Sequence, residues 1–188
     1  MINTTKPIMI FLHGKGKKPS DVQYDNIVRI AAAHNAELVS ITAPHPHREG
    51  FRWHNARKQP RAEALKEFNA SVGHLESELA KIRGRDIIWL GHSQAGDMAI
   101  RMALKHGATK VITFGASMYE NLPPYEILTN FPPPIDWLEA ANDEVVNAAL
   151  RATYKDVQKL GLRVNHLVLP NSSHDDWDFT EYLKRIES

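Results

Sequence analysis

The 188-residue sequence contains no cysteine, so its core must be stable without disulfide bonds, and nothing indicates an oxidising compartment. No sign of charge is in excess either: 23 basic residues face 22 acidic ones, which argues against a general electrostatic attraction to nucleic acid. No apolar run is long enough to span a bilayer, and the N-terminus lacks the pattern of a signal peptide. We therefore expect a cytoplasmic protein of a single domain, residues 1–188, with no transmembrane segment and no nucleic-acid partner.

A predicted strand and a predicted helix enclose the serine at position 93. Four consecutive apolar residues, 87–90, indicate a strand buried on both faces, and apolar residues recur at helical spacing from Ala95 onward. The residues between are Gly91-His92-Ser93-Gln94-Ala95, close to the G-x-S-x-G pattern of a nucleophile elbow. A serine on so tight a turn projects beyond the end of the strand. The alternative is a serine that only caps the helix.

The rest of the chain alternates between short apolar strands and amphipathic helices. The predicted strands are 8–12, 37–42, 87–90, 111–114, 135–140 and 164–169, and the predicted helices are 20–34, 60–82, 95–106, 146–160 and a last one from 179. This order predicts an α/β fold, a three-layer sandwich with a mostly parallel six-stranded sheet. The stretches 43–59 and 116–134 have no period and are predicted to be loops, the second a functional loop or small lid.

A serine hydroxyl needs a general base that a third group orients. In a parallel sheet such groups lie at the carboxyl ends of the strands. His174 directly follows the last predicted strand, and Asp143 lies in the turn after the fifth one, so we predict a catalytic triad of Ser93, Asp143 and His174. Glu144 is the nearest rival for the acid, and helix capping is the alternative role for both Asp143 and His174.

Acyl transfer also requires two donors for the oxyanion, usually backbone amides. The amide of Gln94 follows the nucleophile at the start of a helix. The loop His13-Gly14-Lys15-Gly16 after the first strand offers the second amide, for which we predict Lys15. A phosphate-binding loop is the competing interpretation, but neither G-x-G-x-x-G nor a Walker pattern is present.

The segment 48–61 carries five basic residues against one acidic residue: Arg48, Arg52, Arg57, Lys58 and Arg61 against Glu49. It leaves the same edge of the sheet as the loop that carries Lys15, Lys17 and Lys18, so it predicts a positive field over Ser93 and an anionic substrate. Within it, Phe51, Arg52 and Trp53 are the predicted substrate-binding residues, with the two aromatic rings as an apolar wall for a short acyl chain. The alternative is an ordinary solvated surface.

Three histidines in the same region, His45, His47 and His54, raise the question of a metal. The loop supplies no convincing fourth ligand, and its prolines keep the backbone extended. We therefore predict neither a metal nor another cofactor.

Taken together, these motifs resemble the α/β-hydrolase superfamily and, within it, the carboxylesterase, phospholipase and acyl-protein thioesterase family. The matching pieces are residues 11–16, 43–53, 91–94, 142–146 and His174, with Ala95-Gly96 in place of the family's usual glycine pair. The resemblance implies a serine hydrolase that cleaves a small-molecule ester or thioester through an acyl-Ser93 intermediate. An acyltransferase with the same triad, or a binding module with a vestigial elbow, are the alternatives.

Overall fold

The computed structural model describes residues 6–21, 24–55, 59–82, 84–116, 118–119, 122–146 and 153–187. Its strands are β1 (Ile8–Leu12), β2 (Glu37–Ile41), β3 (His45–His47), β4 (Gly50–Arg52), β5 (Ile87–His92), β6 (Lys110–Phe114), β7 (Ile135–Ala140) and β8 (Val164–Leu169). Its helices are α1 (Tyr24–Ala33), α2 (Arg61–Leu79), α3 (Gln94–His106), α4 (Tyr154–Lys159) and α5 (Thr180–Glu187), with 3-10 turns at Pro19–Asp21 and Ala80–Ile82.

Six of the strands form one sheet in the order β2-β1-β5-β6-β7-β8, and every neighbouring pair is parallel. The chain moves outward from β1 to β2 and then returns to the other side of β1 as β5, so the strand order reverses between β1 and β5. At that point Leu12 lies opposite Gly91. The loops that follow β1 and β5 therefore leave the sheet side by side, which is where ligands bind in open α/β sheets.

The sheet is covered by helices on both faces, because its central strands β1, β5 and β6 are buried on both sides. Ile8, Ile10 and Leu12 of β1 belong to the core shared with α2 and α3. Met9 and Phe11 point to the opposite core, which includes buried residues of α1 and α5. This confirms the predicted three-layer α/β sandwich with a six-stranded sheet.

The prediction that residues 43–59 form a plain loop is wrong for part of that segment. β3 and β4 pair as an antiparallel hairpin, which lies against the loop after β1: the amide of Gly16 donates to the carbonyl of Phe51 at 2.7 Å, and the amide of Phe51 donates to Lys17 at 3.1 Å. A Cβ at Gly50 would lie 2.5 Å from the carbonyl oxygen of Gly16. Three-residue strands are too short to show a period, and the loop against which the hairpin lies is more than 30 residues away in sequence.

The predicted helix over 146–160 is described only as α4, Tyr154–Lys159, because residues 147–152 lie outside the described ranges. Among the helices that the structure describes, none has both the length and the apolar character needed to cross a bilayer.

Candidate active site

Ser93 occupies the sharp turn between β5 and α3. Its backbone angles, φ 53° and ψ −120°, lie in a region that non-glycine residues seldom adopt. A Cβ at Gly91 would lie 2.5 Å from the carbonyl oxygen of Ala95, so this position requires glycine. Ala95 itself packs fully buried in the core, which shows how the elbow accommodates alanine in the fifth place of the motif.

The structure brings Ser93, His174 and Asp143 together. The Oγ of Ser93 lies 3.0 Å from Nε2 of His174, and Nδ1 of that ring lies 2.8 Å from Oδ2 of Asp143. Because Nδ1–H donates to the carboxylate, Nε2 is left to accept the serine hydroxyl proton. The chain of two hydrogen bonds has the arrangement of a nucleophile, its base and the group that orients the base.

Asp143 is held rigidly in that arrangement. Its side chain is 1% exposed, and its second oxygen, Oδ1, accepts hydrogen bonds of 2.8 Å from the amides of both Val145 and Val146. The residue therefore caps the turn that follows β7 and faces His174 at the same time. Its rival Glu144 is exposed.

The loop after β1 lies directly against the elbow. A Cβ at Gly14 would be 3.2 Å from Cβ of Ser93. His13 fixes the loop from inside: its Nδ1–H donates to the carbonyl of Gly14 at 2.8 Å, and its Nε2 accepts from the amide of Ala43 at 3.0 Å. Burial lowers the pKa of His13, which maintains the neutral ring that this pair of bonds requires. Lys15 follows on this loop, with its ammonium donating to Oδ1 of Asn55 at 2.6 Å.

Gln94 does more than the sequence indicated. As the first residue of α3, Gln94 has a backbone amide with no partner within the helix, and its role as an oxyanion donor stays a prediction. Its side chain is buried as well: Oε1 accepts from the amide of Trp53 at 2.9 Å, and Nε2 donates to the carbonyl of His54 at 2.7 Å. The sequence could predict a role for the Gln94 amide alone, from its position next to Ser93. The partners of the side chain lie about 40 residues away and could not be predicted in this way.

Trp53 has a different place from the one predicted. It is fully buried, its indole N–H donates to the carbonyl of His13 at 2.8 Å, and its own carbonyl accepts the hydroxyl of Ser71 at 2.5 Å. The Trp53 side chain therefore has no exposed surface that could contact a substrate, and the predicted substrate-binding role is wrong for this residue. It instead holds the loop after β1 in place. Phe51 is half-buried and packs against the same core.

Arg52 is also engaged within the protein. Its guanidinium binds Glu67 through two hydrogen bonds, of 2.7 and 3.2 Å, and these raise the pKa of Arg52 and lower that of the glutamate. Lys17 pairs with Asp175 at 3.2 Å. Both pairs compensate basic charges that the sequence assigned to a positive field. Arg57 and Lys58 lie outside the described residues.

We therefore expect Arg52→Gln to act on stability and not on substrate choice. The two-pronged pair is about four-fifths buried, so its loss should cost about 1 kcal/mol in the free energy of unfolding. Urea denaturation measures this, with the exposed Arg61→Gln as the matched control. The ratio of KM values for an anionic and a neutral ester should stay as in the wild type. A selective rise for the anionic ester in Arg52→Gln would instead restore Arg52 as a substrate-binding residue.

The three histidines considered as metal ligands do not converge. His45 donates to the carbonyl of Glu67 at 3.0 Å, His47 lies 3.3 Å from the guanidinium of Arg52, and burial lowers the pKa of His54 to about 4. Within the described ranges, the side chains close enough to share an ion are those of His92, His174 and Asp175. Both rings of that group are already hydrogen-bonded in the arrangement around Ser93.

The segment 116–134 is tied to α3 by a buried polar cluster. Asp97 of α3 accepts the hydroxyl of Tyr125 at 2.5 Å and pairs with Arg101 at 2.8 Å. Arg101 also donates to the carbonyl of Pro123 at 2.7 Å. Hydrogen bonds therefore hold the described parts of this segment against α3, the helix that begins directly after Ser93. Tyr119 of the same segment packs against His54, with ring centroids 4.7 Å apart.

Comparison with known proteins shows which solved structures the fold of this chain resembles. No protein-family model matches the chain, and no curated protein is significantly similar in sequence. Solved structures match well: esterase PE8 has a TM-score of 0.74 at 19% identity over 97% of this chain and 90% of that one. A carboxylesterase from Mesorhizobium loti gives 0.71 at 19% identity, over 97% and 87% of the two chains. The F65L form of SOBER1 from Arabidopsis thaliana gives 0.67 at 16% identity, over 96% of each chain.

Almost the whole length of each protein is aligned in these matches, and the neighbours include a protein described as belonging to the alpha/beta hydrolase superfamily. At such low identity the likeness concerns the fold. The parallel sheet, the reversal of strand order beside Ser93 and the elbow between β5 and α3 agree with it. The chain therefore has the α/β-hydrolase fold.

Proposed function

We propose that this protein is a serine hydrolase that cleaves carboxylic esters or thioesters of small molecules. The observation that carries the proposal is the unbroken chain from the Ser93 hydroxyl through His174 to the buried carboxylate of Asp143. His174 takes the proton of Oγ as this oxygen attacks the carbonyl carbon of the substrate. Asp143 holds the ring in the required tautomer and stabilises the imidazolium that forms.

The amides of Lys15 and Gln94 are the proposed donors to the oxyanion of the tetrahedral intermediate. Support comes from their placement: Gln94 begins α3 directly after the nucleophile, and Lys15 follows Gly14, which lies against Ser93. Collapse of the intermediate breaks the bond to the alcohol or thiol, which takes the proton from His174 and leaves Ser93 acylated. Water then attacks the acyl-enzyme, with His174 accepting its proton, and a second collapse releases the acid and restores the serine.

An ester is favoured over other acyl compounds by the neighbours in fold, which are described as an esterase and carboxylesterases. Glu67 compensates the charge of Arg52, and Asp175 compensates that of Lys17, so the predicted positive field over Ser93 has less support. We therefore make the proposal for esters and thioesters of either charge.

A fluorophosphonate probe tests the proposal directly. We expect stoichiometric labelling of the purified protein, with mass spectrometry locating the adduct on Ser93, because a neighbouring base makes a serine hydroxyl far more reactive toward the probe than an ordinary one. EDTA in the reaction should change neither labelling nor ester hydrolysis. A folded protein that resists the probe would favour a binding module with a vestigial elbow, and activity lost to EDTA but restored by zinc would favour a metal mechanism.

A further inference from the structure

We propose that His92 and Trp177 are positioning residues that hold the general base in place by donating together to the backbone carbonyl of His174. This proposal rests on the proposed function and extends it to residues outside the triad. Nε2 of His92 lies 3.0 Å from that carbonyl oxygen, and Nε1 of Trp177 lies 2.7 Å from it. A carbonyl oxygen has two lone pairs, so these two donors occupy its full capacity.

The surroundings of His92 fix which of its nitrogens carries the proton. The ring is 1% exposed, and burial is the main cause that lowers its pKa to about 3, so it is neutral at any pH at which the enzyme would work. A carbonyl can only accept, hence Nε2 carries the hydrogen and Nδ1 does not. Nδ1 has no hydrogen-bond partner among the described residues and lies 3.0 Å from where a Cβ of Gly14 would be. His92 is therefore built as a donor to His174 and not as a second base.

The rings on either side keep both donors aimed at the carbonyl. His92 is stacked on Phe114, with centroids 4.7 Å apart and planes 14° apart, and its centroid lies 5.2 Å from that of His174. Trp177 meets the same Phe114 edge-on at 5.2 Å. One aromatic cluster thus joins the nucleophile elbow, the end of β6 and the segment that carries the base.

The segment around His174 needs such support because it lacks regular structure. Residues 170–179 contain neither helix nor strand, between β8 and α5. The base must nevertheless stay within hydrogen-bond reach of both Ser93 and Asp143, at 3.0 and 2.8 Å. A displacement of about 1 Å at such a site can reduce turnover about a hundredfold. The two donors to the His174 carbonyl act on the backbone of the base itself, where such a displacement would begin.

The test compares variants of the protein at positions 92 and 177 that either remove or keep an N–H donor to the carbonyl of His174. His92→Phe retains a ring that can stack on Phe114 but has no N–H, so we expect kcat for p-nitrophenyl acetate to fall about tenfold, with KM changed less than about twofold. His92→Gln places an N–H at a similar reach and should recover most of the loss. Trp177→Phe should lower kcat in the same way. Because both donors serve one oxygen, the double variant should depart from the product of the two single effects.

Tyr182→Phe is the matched control. Like His92→Phe, it removes a buried hydrogen-bond donor from the same core, but the Tyr182 hydroxyl donates to Oδ2 of Asp136 at 2.9 Å and not to His174. We expect it to lower the melting temperature and leave kcat close to the wild type. Should Trp177→Phe fail to fold, the two His92 variants decide the matter by themselves.

The proposal is overturned if His92→Phe keeps wild-type kcat, if its effect lies in KM alone, or if His92→Gln is as impaired as His92→Phe. Fluorophosphonate labelling separates this failure from failure of the proposed function. Every folded variant should still be labelled at Ser93, more slowly where the donor is lost, whereas an unlabelled wild type would remove the serine mechanism itself.

Discussion

Replacing Ser93 with alanine should reduce ester hydrolysis by a factor of about 10⁴ or more and abolish fluorophosphonate labelling. In the proposed mechanism the hydroxyl oxygen forms the bond to the acyl group, and neither His174 nor Asp143 can replace it. The fold should survive, since alanine removes one oxygen and the backbone at this position, with φ 53°, is equally strained for both residues. Initial rates with p-nitrophenyl acetate measure the effect.

The matched control is Ser20→Ala, which removes the same oxygen from an exposed serine. It should have wild-type activity. Both proteins must be purified away from host esterases, because a contamination of about one part in 10⁴ would equal the expected residual rate. A Ser93→Ala protein that retains a tenth of the activity would show that another group is the nucleophile.

Asp143→Asn should lower kcat by about 10⁴ while the protein remains folded. The asparagine side chain keeps an oxygen for the amides of Val145 and Val146, so the turn after β7 keeps its cap. It loses the negative charge that stabilises the imidazolium, and its NH₂ group facing Nδ1 of His174 favours the tautomer that cannot accept the proton of Ser93. Steady-state kinetics with circular dichroism as a check on folding measure both parts.

Glu144→Gln is the control for this prediction, because it removes a carboxylate from the adjacent, exposed position. We expect it to cost less than about twofold in kcat, as distant exposed charges are screened by solvent. If Glu144→Gln were the more damaging change, the acid would be the neighbour, and the 2.8 Å contact between Asp143 and His174 would have only a structural role.

Much of the fold could be predicted from the sequence, because short strands that alternate with amphipathic helices can bury their apolar residues in only a few arrangements. β7 and β8 have the predicted bounds, Ile135–Ala140 and Val164–Leu169. Runs buried on both faces predict a parallel sheet between two layers of helices. The three residues of the candidate triad were also predictable, since each follows a strand and the carboxyl ends of parallel strands meet at one edge.

Only the tertiary structure decided what surrounds that triad. Trp53 with Gln94, Arg52 with Glu67 and His92 with His174 are contacts between elements 41, 15 and 82 residues apart. The direction of each side chain depends on how whole elements pack, which residue spacing does not record. Trp53 and Arg52 accordingly looked like substrate-binding residues in an aperiodic stretch, while the buried donors around His174 gave no local signal. The sequence by itself determined the sheet and the edge at which the candidate triad meets, through burial and chain order, and the packing of distant elements determined which side chains of the aperiodic segments are buried and hold others in place.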